Sequence, residues 1–125
     1  MTNAYQAMAA YKASQRLDER PATVLARSHE ELAHVLGAAI SAYEARQLEE
    51  MCRHNARAVQ ILATLMGAFA GDAPERRRLR AMYSKARGGV NGLLIEPTAP
   101  DTVRAAQAWA REMAMTFRKE SMGLS

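Results

Sequence analysis

The chain has 125 residues, a formal net charge of +4 and a hydrophobic content of 49%, with only 6% aromatic residues. This length suits one compact domain, and a core built mainly from Ala, Leu, Met and Val is typical of helix packing and disfavours a sheet protein. A single cysteine, Cys52, excludes an intramolecular disulfide. Because the sequence shows neither a signal-peptide pattern nor an apolar stretch long enough to span a bilayer, we expect a cytoplasmic protein.

The first segment, residues 3–17, is compatible with a helix but has only a narrow apolar face. Tyr5, Met8 and Tyr11 lie on one side of it. Because so small a face cannot hold a helix firmly against a core, we predict that residues 1–20 form a short, loosely docked N-terminal helix or arm. Its two tyrosines either cover an apolar groove until a partner displaces them or contact the partner directly.

Three helix starts are predicted from a side-chain acceptor that is followed three positions later by a carboxylate, which is the capping-box pattern or a close variant. The pairs are Ser28 with Glu31, Asp72 with Glu75, and Thr98 with Asp101. Pro74 and Pro100 fall in the first turns of the second and third of these helices, where a missing N–H is tolerated.

The first marked helix is predicted to run from about Ser28 to the Gln47 region, with apolar residues at helical spacing on one face. A turn near residues 46–49 is predicted to separate it from a second helix over about residues 48–70. We favour the turn because a continuous helix of about 40 residues would not fit a compact domain of this size.

The second helix carries two apolar stripes, offset by about 100° around its axis. The stripes are Ala58, Ile61, Leu65 and Ala68, and Val59, Leu62, Met66 and Phe69. So wide an apolar surface is typical of a central helix flanked on two sides, which is the interpretation we favour. The alternative is that one stripe lines a groove for an incoming amphipathic helix.

The third helix is predicted to end at about Leu94, and the Gly88-Gly89 pair within it marks a weak point, a bend or a close approach to another backbone. The residues predicted to face inward are Leu79, Met82, Tyr83, Ala86, Val90, Leu93 and Leu94. A last helix carries a heptad-like seam with Trp109 beside it and frays over residues 121–125. Short connections then predict one domain, residues 1–125, folded as an antiparallel four-helix bundle.

The titratable residues form no recognisable catalytic or metal-binding pattern. The histidines are not paired at one-turn spacing and Cys52 has no second thiolate, and Cys52 and His54, two positions apart on a helix, point to different faces. No glycine-rich phosphate loop follows a strand. We therefore expect no enzymatic activity, no metal and no cofactor.

A basic cluster without acidic residues occupies the third helix. Its members are Arg76, Arg77, Arg78, Arg80, Lys85 and Arg87. We favour a solvated helix face, because no aromatic residues alternate with the basic ones as they do in stacking readers of nucleic acid. The alternative is a regulator that binds RNA or an acidic protein through this face.

Several blocks of the sequence, taken in order, resemble the flagellar export chaperone family FliS. The blocks are residues 3–6 (NAYQ), 24–32 (VLARSHEEL), 57–65 (RAVQILATL), 79–83 (LRAMY), 90–91 and 103–109. His29 stands where that family usually has proline, and residues 37–39 lack its tyrosine and acidic residue. The opening AYQ and residues 55–57 are also similar to FlaF, another flagellin-associated family.

The resemblance implies a bundle that binds the C-terminal helical segment of flagellin, prevents its premature polymerisation and delivers it to the flagellar export gate, as a monomer or homodimer. The residues predicted to contact the partner are Tyr5, Tyr11, Leu36, Ile40, Ala58, Ile61, Leu65, Ala68, Tyr83 and Trp109. The remaining alternative is a structural bundle that acts through self-association.

Overall fold

The computed structural model describes residues 21–123, and these form four α-helices joined by short connections. The helices are α1, Pro21–Glu44; α2, Leu48–Ala68; α3, Pro74–Asn91; and α4, Ala99–Ser121. No strand occurs within residues 21–123, which confirms the all-α prediction. The predicted arm, residues 1–20, lies outside the described residues, as do the last two residues of the predicted frayed C-terminus.

The helices pack in chain order around one core, and α4 closes the ring against α1. Glu30 in the first half of α1 pairs with Arg118 near the end of α4. Glu44 at the end of α1 pairs with Arg104 near the start of α4. These two helices therefore run antiparallel, as expected for a four-helix bundle with short connections. The α1–α4 interface is the most extensive in the bundle, and the α3–α4 interface is the least extensive of those between chain neighbours.

The predicted turn between the first two helices is confirmed. α1 ends at Glu44 and α2 begins at Leu48. Arg46, between them, has a φ of 58°, in the left-handed region, and its N–H donates to the Tyr43 carbonyl oxygen at 3.1 Å. Because a residue in this region cannot continue a right-handed helix, the chain reverses here.

The helix starts differ from the predicted ones. Ser28 lies inside α1, which is already helical at Pro21, so the predicted start at Ser28 is wrong. Its partner in the pattern, Glu31, pairs instead with Arg57 on α2. The reason is that buried residues such as Leu25 extend the apolar face of α1 by a further two turns towards its N-terminus.

Two further predicted caps are also corrected. α3 begins at Pro74 with Ala73 at the N-cap, so Asp72 does not cap it. Thr98 stands at the N-cap of α4, but its side chain makes no capping hydrogen bond. A proline in the first turn presets φ and leaves one fewer N–H to satisfy, so these helices start without a side-chain cap.

Both apolar stripes of α2 face the core, which confirms the interpretation of α2 as a helix flanked on two sides. α2 packs against α1 and α3. The stripe residues that are buried are Ala58, Ile61, Leu62, Leu65 and Phe69, and Val59, Met66 and Ala68 are partly buried against them. None of the helices within residues 21–123 combines the length and apolar character needed to cross a membrane.

Candidate functional site

An aromatic cluster at the centre of the bundle connects all four helices. The shortest separations between ring centroids are 5.4 Å, for His29 of α1 with Phe117 of α4 and for Tyr83 of α3 with Trp109 of α4. Phe69, directly after α2, stacks on Tyr83 at 6.3 Å. Ring pairs at these separations stabilise a core beyond their buried area, so the cluster fixes the relative positions of the helices.

His29 and Tyr83 form a hydrogen-bonded pair inside this cluster. His29 Nδ1 lies 2.7 Å from the Leu25 carbonyl oxygen, and because a carbonyl only accepts, Nδ1 carries the proton. The Tyr83 hydroxyl then donates to His29 Nε2 at 2.9 Å. Burial lowers the pKa of His29 to about 4, partly opposed by the bond to Leu25, and raises the pKa of Tyr83. The pair is therefore neutral near pH 7.

This pair is closed to solvent, since both side chains are fully buried. The residues that the structure describes contain no group of three His, Cys, Asp or Glu side chains close enough to hold a metal ion. Cys52 is exposed on α2 and forms no disulfide. The strongly perturbed pKa values of His29 and Tyr83 thus result from burial in the core.

An accessible apolar site lies beside this cluster, between α3 and α4. We call it the α3–α4 groove, a cavity of about 140 Å³ that is lined by Met82, Lys85, Ala86, Thr102, Ala105, Ala106 and Trp109. The helices approach closely at Gly89, where a Cβ atom would lie 2.8 Å from Thr102 Cγ2. The atoms that such a Cβ would meet are side-chain atoms of Thr102 and Val103, and a Cβ at Gly88 would meet nothing within 4 Å, so the close approach is to side chains of α4 and at Gly89 alone. Small residues on both helices leave the groove open beside this contact.

Trp109, one of the lining residues, carries a buried polar group, Nε1, without a hydrogen-bond partner among the described residues. A buried N–H without an acceptor is unfavourable by about 1–3 kcal/mol. Lys85 at the same groove is exposed and forms no ion pair with a carboxylate within residues 21–123. The groove therefore combines an apolar cavity with the exposed positive charge of Lys85, while the Trp109 N–H is itself buried from solvent.

The structure places eight of the ten predicted contact residues inside the bundle. Those buried are Leu36, Ile40, Ala58, Ile61, Leu65, Tyr83 and Trp109, and Ala68 is partly buried. Trp109 lines the α3–α4 groove, and Tyr83 packs behind it. The other six are core residues of the isolated chain and reach no partner without rearrangement. Tyr5 and Tyr11 lie outside the described residues.

The remaining groove residues were missed as contacts because each is unremarkable alone. Ala86 on α3, and Thr102 and Ala106 at helical spacing on α4, are small residues of the groove. Such a spacing is a signal for close helix approach, but it does not say which helix is approached. Only the packing of α3 on α4 brings the two sets together.

The basic cluster has a structural role in part. Arg76 Nη1 donates to the Ala70 carbonyl oxygen at 2.6 Å, and Arg80 Nη1 donates to those of Phe69 and Gly71 at 2.6 and 2.7 Å. Guanidinium groups thus satisfy carbonyls that the end of α2 leaves open. The predicted solvated face is wrong for Arg76, which is buried.

Comparison with known proteins finds no match for this chain among family models, curated proteins or solved structures. The resemblance to flagellar export chaperones stays a prediction.

Proposed function

We propose that this chain is a cytoplasmic export chaperone that binds the C-terminal helical segment of flagellin, prevents its premature polymerisation and assists its delivery to the flagellar export apparatus. The proposal is supported by the ordered resemblance to the FliS family and by the helical-bundle fold. The observation that carries it is the apolar α3–α4 groove, with Trp109 in its lining.

The groove has the size and lining for one apolar side chain of a partner helix. Its volume of about 140 Å³ is close to that of a cavity that holds one benzene-sized group. Met82 in its wall has an adaptable side chain that fits partners of different shape. A helix-in-groove complex uses such a cavity for an anchor residue of the incoming apolar face.

The charge beside the groove selects among apolar segments. Lys85 favours a segment with a carboxylate beside that anchor. We therefore expect a partner segment whose apolar stripe is bordered by an acidic residue.

Chaperone binding of this kind requires no catalytic group. Unpolymerised flagellin termini expose apolar stripes that would self-associate, and a groove that covers one stripe orders a disordered segment as it binds. The groove lies at the least extensive interface between chain neighbours, while the ion-paired α1–α4 interface holds the bundle together. A partner can thus dock without unfolding the core.

Co-purification tests the partner. We expect the tagged chain to recover flagellin from the native cytoplasm, and truncation of the C-terminal segment of flagellin to abolish recovery. Recovery of RNA, of no partner, or of truncated flagellin as efficiently as the full chain would contradict the proposed function.

A matched pair of variants tests the groove. Ala105 and Ala108 are both exposed on α4, but only Ala105 lines the groove. We expect Ala105→Arg to weaken binding of a flagellin C-terminal peptide by about 10-fold or more, because the new side chain fills the cavity. Ala108→Arg is the control and should bind as the wild type does. Trp109 is the only tryptophan, so its fluorescence reports occupancy; equal affinities of the two variants would place the site elsewhere.

A further inference from the structure

Some basic side chains of α3 have no acidic partner within the described part of the chain. They are Arg77, Arg78 and Lys85, which are exposed, and Arg87, which is partly exposed. None of them forms an ion pair with a carboxylate within residues 21–123, and Glu75 is the only acidic residue of α3. We call Arg77, Arg78, Lys85 and Arg87 the outer basic face, whose positive charge the fold itself does not neutralise.

The stability of the bundle does not account for these charges. Arg76 and Arg80 bind carbonyl oxygens at the end of α2, but the outer basic face makes no such contact with another helix. Arg78 Nε has only a long hydrogen bond of 3.4 Å to the Pro74 carbonyl oxygen of its own helix. Arg77 lies near the N-terminal end of α3, where the positive end of the helix dipole disfavours a cation. The outer basic face is therefore available for an anionic partner.

The charges of the outer basic face are spread too widely for one small anion. Arg77 and Arg87 are ten positions apart in α3, which is about 15 Å along a helix axis. Arg78 and Lys85, seven positions apart, lie on one side of the helix and are separated by two turns. A single phosphate or carboxylate therefore reaches only part of the face. A partner that neutralises all of it carries several negative charges along its length.

Small residues lie between the basic side chains. Ala81 and Gly88 are exposed and Ser84 is partly exposed, and their spacing places the three in one row along α3. Because consecutive helical positions are about 100° apart, Lys85 lies on one side of this row and Arg87 on the other. A backbone can approach the row closely while its own side chains reach the charges on both sides. This arrangement fits a helix that packs lengthwise on α3.

The outer basic face lacks the side chains with which proteins stack on nucleic acid bases or enter a membrane surface. Tyr83, the only aromatic residue of α3, is fully buried, so no ring of α3 is available to a base. An interfacial helix needs large exposed apolar residues, and α3 has none. Those exposed within residues 21–123 are Leu48, Leu94, Ile95, Met115 and Met122. The prediction that Leu94 faces inward is wrong, because α3 ends at Asn91 and Leu94, in the connection to α4, is 58% exposed.

We propose that the outer basic face of α3 binds an acidic helical segment of a second protein. Guanidinium groups suit carboxylates because they bind them through two parallel hydrogen bonds. Of the four basic residues only Lys85 also lines the α3–α4 groove, so the face is a separate surface beside the groove. Binding to it does not depend on which segment the groove holds.

Titration of the full chain with an acidic helical peptide tests this surface. The probe is an alanine-rich peptide with glutamates at helical spacing, and the same peptide with glutamine in their place is the reference. We expect the glutamate peptide to bind with an affinity that falls as salt is raised, and the glutamine peptide not to bind. Failure of the glutamate peptide to bind at low salt overturns the proposal.

Two double variants that remove the same charge distinguish the outer basic face from the net charge of the chain. Arg77→Gln with Arg87→Gln should weaken peptide binding by about 10-fold or more. Arg46→Gln with Arg111→Gln is the control, because both arginines lie outside α3, are exposed and form no ion pair within residues 21–123. The control should change the affinity by no more than about 2-fold. Equal losses in the two double variants overturn the proposal.

Two other polyanions test the class of partner. Oligouridylate and vesicles of phosphatidylglycerol should each bind more weakly than the glutamate peptide at the same salt concentration. Tighter binding of either one overturns the proposal in favour of a nucleic acid or a membrane surface. Circular dichroism should show each variant folded, because none of the substituted side chains is buried.

Discussion

The two interfaces of α4, with α1 on one side and with α3 on the other, are built differently. The α1–α4 interface is the most extensive in the bundle, and the pairs Glu30–Arg118 and Glu44–Arg104 lie across it. The α3–α4 interface packs small residues and has no ion pair between these two helices among the described residues. The aromatic cluster lies between the two interfaces.

This difference indicates a division of roles within one small domain. Extensive packing on the α1 side provides the stability of the bundle, since burial of apolar surface is the main favourable contribution to folding. On the α3 side, Gly89 packs closely against the side chains of Thr102 and Val103, and a cavity lies between the same two helices. The structure thus keeps an accessible groove next to the buried aromatic cluster, and Trp109 belongs to both.

The largest effect is expected from acidification, which acts on the cluster between both interfaces. The pKa of His29 is about 4 in the folded chain, whereas the ordinary pKa of a histidine, as in the unfolded chain, is 6.5. Acid therefore favours unfolding. The contribution of His29 to stability is fully present above about pH 6.5 and is lost as the pH falls through 4, a change of about 3 kcal/mol.

Urea unfolding at pH 7 and at pH 4 measures this change. His29→Gln, which cannot take up this proton, is the control variant. The loss of stability on acidification should be larger in the wild type than in His29→Gln by about 3 kcal/mol. Equal losses in the two proteins would show that His29 does not control the pH dependence.

The next effect distinguishes two adjacent glycines on the groove side. A methyl group at Gly89 would meet Thr102 and Val103, whereas one at Gly88 would meet nothing within 4 Å. Gly89→Ala should destabilise the bundle by about 1–3 kcal/mol through overpacking, offset in part by helix propensity. Gly88→Ala should be neutral or stabilise it by up to about 1 kcal/mol.

Thermal unfolding of the two variants side by side provides the measurement, and each serves as the control for the other because the substitution is identical. If Gly89→Ala is as stable as Gly88→Ala, the contact of α3 with α4 at Gly89 has room for a methyl group, which would contradict the close packing. The same Gly89→Ala protein should also have a changed Trp109 fluorescence, because Thr102 and Trp109 line one groove.

The smallest effect is expected at the ion pair on the α1–α4 side. Glu30 and Arg118 pair at the surface, where water and salt screen their attraction. A double-mutant cycle with Glu30→Gln and Arg118→Gln should give a coupling energy of no more than about 1 kcal/mol, lower still at high salt. A coupling energy well above this would mean that charge pairing, and not apolar packing, distinguishes the two interfaces.

The helices could be predicted from the sequence more reliably than their ends. The turn near Arg46 and the prolines in the first turns of α3 and α4 are confirmed. Ser28 failed as a helix start because a capping pattern on an exposed turn has the same sequence as one inside a longer helix. Whether the helix extends further depends on burial of the preceding turn, which the pattern does not contain.

The candidate site was only partly predictable. Trp109 and Tyr83 were named, and the structure places Trp109 in the groove wall with Tyr83 packed behind it. Ile61 and Leu65 of α2 were named as well, but they are buried in the core. A wide apolar face has the same sequence pattern whether one neighbouring element covers it or two. Only the tertiary packing could therefore show that both sides of α2 are buried.

The sequence by itself determined the helical class, the division into helices and the apolar face of each, because these depend on periodicity and on local backbone preferences. Only the tertiary structure decided that His29 meets Tyr83, that Arg76 and Arg80 cap the end of α2, and that Leu94 and Ile95 stay exposed. These features join residues far apart in the chain or depend on which surface a neighbouring helix covers. No local pattern specifies such contacts, because they follow from how the four helices share one core.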